Sequence, residues 1–98
     1  MVNLTSKINK LLSALNLYGY IYMINKEQIY SNKKEKVCSI YKLFQLLPVD
    51  EYNELYPDDK KDINKYDKVK VEIIKSFKQV DILLELVSIY KKVGVENG

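Results

Sequence analysis

The sequence has no histidine and no tryptophan, and it has a single cysteine, Cys38. Without histidine there can be no Ser-His-Asp triad, no Cys-His dyad and no imidazole base that works near neutral pH. One cysteine excludes an internal disulfide and a zinc site built from several cysteines. Carboxylate and lysine chemistry stay open, but these absences argue against an enzyme. We therefore predict a non-catalytic chain with no cofactor and no metal.

Arginine is also absent, because all sixteen basic residues are lysine. The guanidinium fork that reads guanine and grips phosphate is therefore missing, although lysine still attracts a polyanion as a point charge. The net charge of +3 is modest, but residues 1–48 carry seven lysines against two acidic residues, and residues 49–67 carry three lysines against seven acidic residues. Such an asymmetry either steers a charged partner or simply gives two solvated surfaces.

Long apolar runs are missing as well. No run approaches the ~20 residues that cross a bilayer. The N-terminal leucines are interrupted by Lys7, Asn9 and Lys10, which is unlike a signal peptide. Ninety-eight residues suffice for one hydrophobic core. We expect one cytoplasmic domain over residues 1–98 that does not enter a membrane, with residues 94–98 as a frayed tail.

The hydrophobic pattern predicts an α+β fold. An N-terminal helix carries Leu4, Ile8, Leu11, Leu12 and Leu15 at a period of 3.6, with caps at residues 3–6 and an exit at residues 16–19. Strands are predicted over residues 18–24, 28–31, 37–44 and 68–75, with a turn at 25–27 and a short helix at 49–56. A last helix begins at a capping box, Ser76 to Gln79, and ends at Lys92. The predicted order is α-β-β-β-α-β-α, with about four antiparallel strands packed against the first and last helices.

The last helix is apolar around roughly 240°, more than a helix on one sheet needs. One flank, Val80, Leu83, Leu84 and Val87, is expected against the sheet. A second flank is expected against the first helix or a second subunit: Ile82, Leu86, Ile89 and Val93. We predict that this second flank is an interface, and that the protein acts by binding a protein partner and by forming a homodimer.

A nucleic-acid-binding module is the alternative function. Tyr20 and Tyr22 alternate on one face of a predicted strand, and the loop that follows the next strand contributes Lys33, Lys34 and Lys36. Tyrosine rings beside lysines can stack on single-stranded bases. The competing interpretation is that these rings pack under a helix with their hydroxyls at the rim.

Two further groups have structural interpretations. Cys38 lies between apolar residues of a predicted strand and is expected to be a packed core thiol. The carboxylates of Asp58, Asp59, Asp62 and Asp67 lack the glycine and the spacing of an EF-hand loop, so we expect a solvated loop.

In size and in its lysine- and tyrosine-rich composition, the chain resembles small phage and mobile-element proteins of low-GC Gram-positive bacteria. The resemblance extends over the whole chain and includes no signature residue. It implies an accessory role, such as binding and modulating a host or phage protein.

Overall fold

The computed structural model describes residues 3–97, with side chains described through Val95. Within these residues the elements are α1 (Leu4–Leu17), β1 (Ile21–Ser31), β2 (Lys36–Pro48), α2 (Val49–Leu55), a 3-10 turn (Pro57–Asp59), β3 (Lys68–Ser76) and α3 (Gln79–Asn97). The three strands form one antiparallel sheet in the order β1-β2-β3. The α+β prediction is confirmed, whereas the prediction of four strands and of the order α-β-β-β-α-β-α is wrong.

The two ends of α1 follow from local chemistry. At its start the Asn3 side-chain oxygen accepts a hydrogen bond from the Ser6 amide at 3.2 Å. At its end the Tyr20 amide donates to the Leu15 carbonyl and the Gly19 amide donates to the Asn16 carbonyl. This pair of bonds is a Schellman motif, which needs a left-handed residue. Gly19 supplies it with a φ of +89°.

Strand β1 continues where the sequence predicted a turn. Asn25, Lys26 and Glu27 pair with Lys42, Tyr41 and Ile40 of β2. The polar stretch contains neither glycine nor proline, so nothing in the backbone forces a turn, and eleven consecutive residues join one long hairpin. Two predicted strands are therefore one, which accounts for the three-stranded sheet.

The core lies between one face of the sheet and the pair α1 and α3. Ile24, Leu43 and Ile74 align across the three strands on this helix-facing side. The buried cluster that joins them to the helices is Ile8, Leu15, Leu43, Ile82, Leu86 and Val93. The smallest extent of the fold is 17 Å, which suits one sheet plus one helix layer when layers pack about 10 Å apart. The opposite side of the sheet, with Met23 and Phe44, is an open face.

Helices α1 and α3 run side by side in the same direction. Near their starts Gln79 donates a 3.0 Å hydrogen bond to the Thr5 hydroxyl. Just past the end of α1, the ring of Tyr18 meets the ring of Tyr90, in the second half of α3, edge to face at 6.4 Å. The Gln79 side chain therefore hydrogen-bonds to α1 and does not form the predicted capping box with Ser76. The Ser76 hydroxyl instead accepts from the Lys78 amide and donates to Asp81.

The second flank of α3 packs against α1, which is one of the two alternatives predicted for it, and also against the sheet. Ile82 and Leu86 have no exposed surface within the single chain, Val93 is buried and Ile89 is half-buried. Assigning Ile82, Leu86, Ile89 and Val93 to an interface is therefore corrected: α1 and the sheet already cover this flank. The flank expected against the sheet is the more exposed one, since Leu84 is 60% exposed.

The C-terminal prediction also changes. Helix α3 continues through Gly94 to Asn97 instead of ending at Lys92. Of the predicted tail 94–98, Gly98 lies outside the described residues.

The acidic segment between α2 and β3 is tied to α2. The Asn53 side chain accepts from the Lys61 amide at 2.7 Å and donates to the Lys61 carbonyl at 2.9 Å. The Val49 amide donates to the Asp67 carbonyl and closes the segment where β2 ends and β3 begins. This segment and α2 therefore occupy the end of the sheet opposite the β1–β2 turn.

Candidate binding groove beside edge strand β1

The two outer strands of the sheet differ in how they are protected. The pairing of β2 with β3 is interrupted at Leu43 and Phe44, where Ile73 is left without a partner. Strand β3 also carries Lys68, Lys70 and Lys75. A bulge and lysines are the devices by which edge strands resist pairing with another chain. Strand β3 is therefore a protected edge.

Strand β1 has neither device over most of its length. It pairs with β2 in an unbroken register of eleven residues. No strand of the described residues pairs with its outer side. A long, regular edge presents a row of backbone donors and acceptors to an incoming strand. Of the two described edge strands, β1 can therefore pair with an additional strand more readily than β3.

A groove runs between α1 and β1. One cleft of about 420 Å³ lies toward the start of α1 and is bordered by Ile24 and Lys26 of β1. Tyr41 of β2 and Gln79 and Ile82 of α3 also line it. A second cleft of about 350 Å³ lies toward the end of α1 and is bordered by Ile21 and Tyr22. Leu12 borders both clefts, so we treat them as one feature, the edge groove. On α1 the edge groove is lined by Thr5, Ile8, Asn9, Leu12, Ser13 and Asn16.

The chemistry of the edge groove is apolar inside and neutral at the rim. Ile8, Leu12 and Ile24 line its depth, while Asn9 and Ser13 are exposed at its lip. Among the described residues that line it, Lys26 is the only charged one. The edge groove therefore suits apolar side chains and, at the Lys26 end, a negatively charged group.

Tyr22 contributes a neutral phenol at the edge groove. Burial of the ring raises its pKa above the ordinary value, and nearby Tyr20 and Glu85 raise it further. A tyrosine hydroxyl is protonated at neutral pH even without this shift, so it can donate and accept hydrogen bonds in the edge groove.

A larger depression, of about 620 Å³, lies along the outer side of α1. Its described lining comes from α1 and its cap alone, including Asn3, Lys10 and Leu17. One convex helix cannot surround a ligand, so this depression is a surface and not a pocket.

The nucleic-acid residues predicted from the sequence are separated. Tyr20 and Tyr22 pack against the core under the helices, which matches the competing interpretation of these rings. Lys33 and Lys34 lie in the β1–β2 turn and Lys36 starts β2, at the far end of the hairpin. Tyr22 and Ser31 are nine positions apart, which spans roughly 30 Å at about 3.3 Å per residue. A shared platform of Tyr20, Tyr22 and these lysines is therefore not formed.

Cys38 is half-buried on the open face and not in the core cluster, which corrects the prediction of a core thiol. Its Sγ lies 3.8 Å from the Lys36 carbonyl oxygen. The carboxylates of residues 58–67 are exposed, and Asp59 bonds to Tyr52 and Lys61. Among the described residues, no three His, Cys, Asp or Glu side chains group in a way that could hold a metal ion.

The edge groove was not foreseen from the sequence. One signal was available: Thr5, Asn9, Leu12 and Asn16 follow a helical stripe beside the core stripe, and the stripe carries no charge. A surface stripe is ordinarily charged, so an uncharged one suggests contact with something else.

Over the described residues, none of the helices has both the length and the apolar character required to span a bilayer. Comparison of the chain with family models, with curated proteins and with solved structures finds no match.

Proposed function

We propose that this chain is a non-catalytic binding protein that captures an extended segment of a protein partner as a fourth strand beside β1. The observation that carries the proposal is the edge groove, which runs beside a long and regular edge strand. In strand addition, backbone hydrogen bonds give affinity and alternating side chains give specificity.

The edge groove defines the segment that would fit. Side chains of an added strand point alternately to the two sides of the sheet. Those on the helix side would enter between Leu12 and Ile24 and should be apolar. A carboxylate on the added segment would meet Lys26, because no acidic residue lines the edge groove in the described part of the chain.

The other half of the added side chains would extend the open face. Met23 of β1 lies opposite Phe44 of β2 there, and the Lys70 ammonium lies 4.4 Å from the centroid of the Phe44 ring. Apolar or aromatic side chains of the partner would lie next to Met23. The preferred segment is therefore extended, apolar at alternate positions and acidic at one end.

A homodimer remains part of the proposal, with a different interface. Because α1 and the sheet cover Ile82 and Leu86, these residues give no support to a dimer through α3. A second copy would add its own β1 edge to strand β1, in competition with the partner segment for the same edge. The accessory role in a phage or mobile element stays a prediction from composition.

Selection from a displayed random-peptide library tests the proposal. Ser13 is exposed at the lip of the edge groove, so Ser13→Trp should fill it without disturbing the core. Ser88→Trp, at an exposed position of α3, is the matched control. We expect peptides selected on the wild type to have apolar residues at alternate positions and an acidic residue at one end. Their affinity should be at least about tenfold lower for Ser13→Trp and unchanged for Ser88→Trp.

Hydrogen exchange locates the binding. Bound peptide should slow exchange of the outward β1 amides, which have no partner strand in the described chain. Peptides that bind Ser13→Trp as tightly as the wild type, or that protect α3 and not β1, would contradict the proposal. Sedimentation of the free protein measures self-association. If two copies pair through β1, Ser13→Trp should shift the protein toward the monomer.

A further inference from the structure

The end of the fold that holds the β1–β2 turn concentrates positive charge. Residues 26–42 and 74–81, which meet there through the pairing of Tyr41 with Ser76, contain seven lysines against two glutamates and Asp81, whose carboxylate accepts a hydrogen bond from Ser76. One of these glutamates, Glu27, is already paired with Lys42 at 3.0 Å. The acidic segment 49–67 lies at the other end of the sheet. The turn end therefore carries a largely unneutralised positive charge, contributed by Lys26, Lys33, Lys34, Lys36, Lys75 and Lys78.

Exposed aromatic rings lie among these lysines. Tyr30, the penultimate residue of β1, is 61% exposed, and Phe77, between β3 and α3, is 43% exposed. The Lys34 ammonium lies 5.0 Å from the centroid of the Phe77 ring, which brings the turn and the β3–α3 junction together. Tyr30 and Phe77 differ in this respect from Tyr20 and Tyr22, which are not exposed rings next to lysines.

We infer that this turn end binds single-stranded nucleic acid, with Lys33, Lys34 and Lys36 contacting phosphates and Tyr30 and Phe77 stacking on bases. Ammonium groups neutralise phosphates without reading sequence, and every base offers a face to an aromatic ring. The binding is therefore expected to be sequence-tolerant. Lys26 also borders the edge groove, but none of the five residues assigned to this binding lines it. The inference does not depend on the proposed function.

The pattern of side chains favours nucleic acid over the other polyanions. Phe77 has the Lys34 ammonium over its ring, and Tyr30 precedes Lys33 and Lys34 by three and four residues. An acidic protein would need the lysines but not the rings. An anionic bilayer would need an apolar group to insert, and Val37, opposite Tyr30, is the only aliphatic side chain more than half exposed at this end among the described residues.

Fluorescence anisotropy with a labelled 12-nucleotide mixed single strand tests the inference. For the three proposed phosphate contacts, affinity should fall roughly twenty-fold between about 50 and 200 mM salt, from a slope of about −0.7 per contact. Lys33→Gln with Lys34→Gln should reduce the slope by about 1.4. Glu35→Gln should tighten binding, because it removes the negative charge in the turn. The charge control is Lys91→Gln with Lys92→Gln on the exposed side of α3, which should leave the slope unchanged.

The stacking step has its own variants. Tyr30→Ala should weaken binding about fivefold or more while leaving the salt slope unchanged. Tyr66→Ala is the matched control, because Tyr66 is exposed and has the Lys65 ammonium 5.7 Å from its ring. Circular dichroism should show that every variant is folded, since all these positions are exposed.

Three results would overturn the inference. The first is absence of binding at low salt with tens of micromolar protein. The second is an equal effect of the test and control variants. The third is displacement of the oligonucleotide by poly-glutamate or by anionic phosphatidylserine vesicles at the same charge concentration, which would assign the turn end to an acidic protein or to a membrane surface.

Discussion

The hydroxyl of Tyr52 donates a 2.6 Å hydrogen bond to the carboxylate of Asp59. This bond joins α2 to the 3-10 turn that follows it, and Lys61 approaches the same carboxylate at 3.4 Å. The Tyr52 ring in turn stacks on Tyr56 with centroids 4.7 Å apart. A segment that is acidic and nearly free of apolar residues is thus held by polar contacts.

The Tyr52–Asp59 bond predicts a pH-dependent stability. The Tyr52 hydroxyl, followed by Lys61, lowers the pKa of Asp59, so the stabilisation is present above the unfolded pKa of about 3.9 and is lost as pH falls through the folded pKa. The same bond raises the pKa of Tyr52, so the stabilisation is also lost above pH about 10. The difference in free energy of unfolding between wild type and Tyr52→Phe should therefore be flat near neutrality and shrink at both extremes.

Urea unfolding from about pH 3 to pH 10.5 measures this difference. Tyr56→Phe is the control, because it keeps the stacked rings and leaves the Tyr52–Asp59 bond in place. A difference for Tyr52→Phe that persists unchanged in acid would show that the bond is not formed in solution.

The two described glycines should respond to alanine with opposite signs. Gly19 has a φ of +89° and open space around its missing Cβ, so Gly19→Ala costs only backbone strain, about 1 kcal/mol. Gly94 lies inside α3 and also faces open space, so Gly94→Ala should stabilise by about 0.5–1 kcal/mol. Thermal unfolding of both variants checks the pair. A destabilised Gly94→Ala would mean that α3 ends earlier than Asn97.

Leu86 and Leu84 give a matched test of which side of α3 is covered. Leu86 has no exposed surface and Leu84 is 60% exposed. Leu86→Ala should lower the free energy of unfolding by about 2–5 kcal/mol. Leu84→Ala should change it by less than about 0.5 kcal/mol. Denaturant unfolding at several protein concentrations measures both. A large, concentration-dependent loss for Leu84→Ala would instead place Leu84 in an interface between copies.

Local patterns predicted the elements better than their relations. The period of α1, its cap at Asn3 and its exit at Gly19 depend on neighbours within a few residues, and the prediction is confirmed there. The turn expected at residues 25–27 failed because β2 pairs with these residues throughout, and pairing across the sheet outweighs a weak preference for polar turns.

The arrangement of α3 could not be obtained from its own sequence. A helical-wheel projection of α3 shows two apolar flanks of similar size. Which flank is buried depends on where α1 lies. Helix α1 covers the flank of Ile82 and Leu86, leaving Leu84 outside. The edge groove was hidden for the same reason, since Leu12 and Ile24 come together only in the folded chain.

The contact between Thr5 and Gln79 joins residues 74 positions apart in the chain. The core cluster likewise combines Ile8 and Leu15 with Ile82 and Leu86, so its two halves come from the first and the last helix. During synthesis, the apolar stripe of α1 must therefore wait until α3 has left the ribosome. This domain should fold only after α3 has emerged, and a chain stalled before α3 would expose α1 and the sheet to chaperones and proteases.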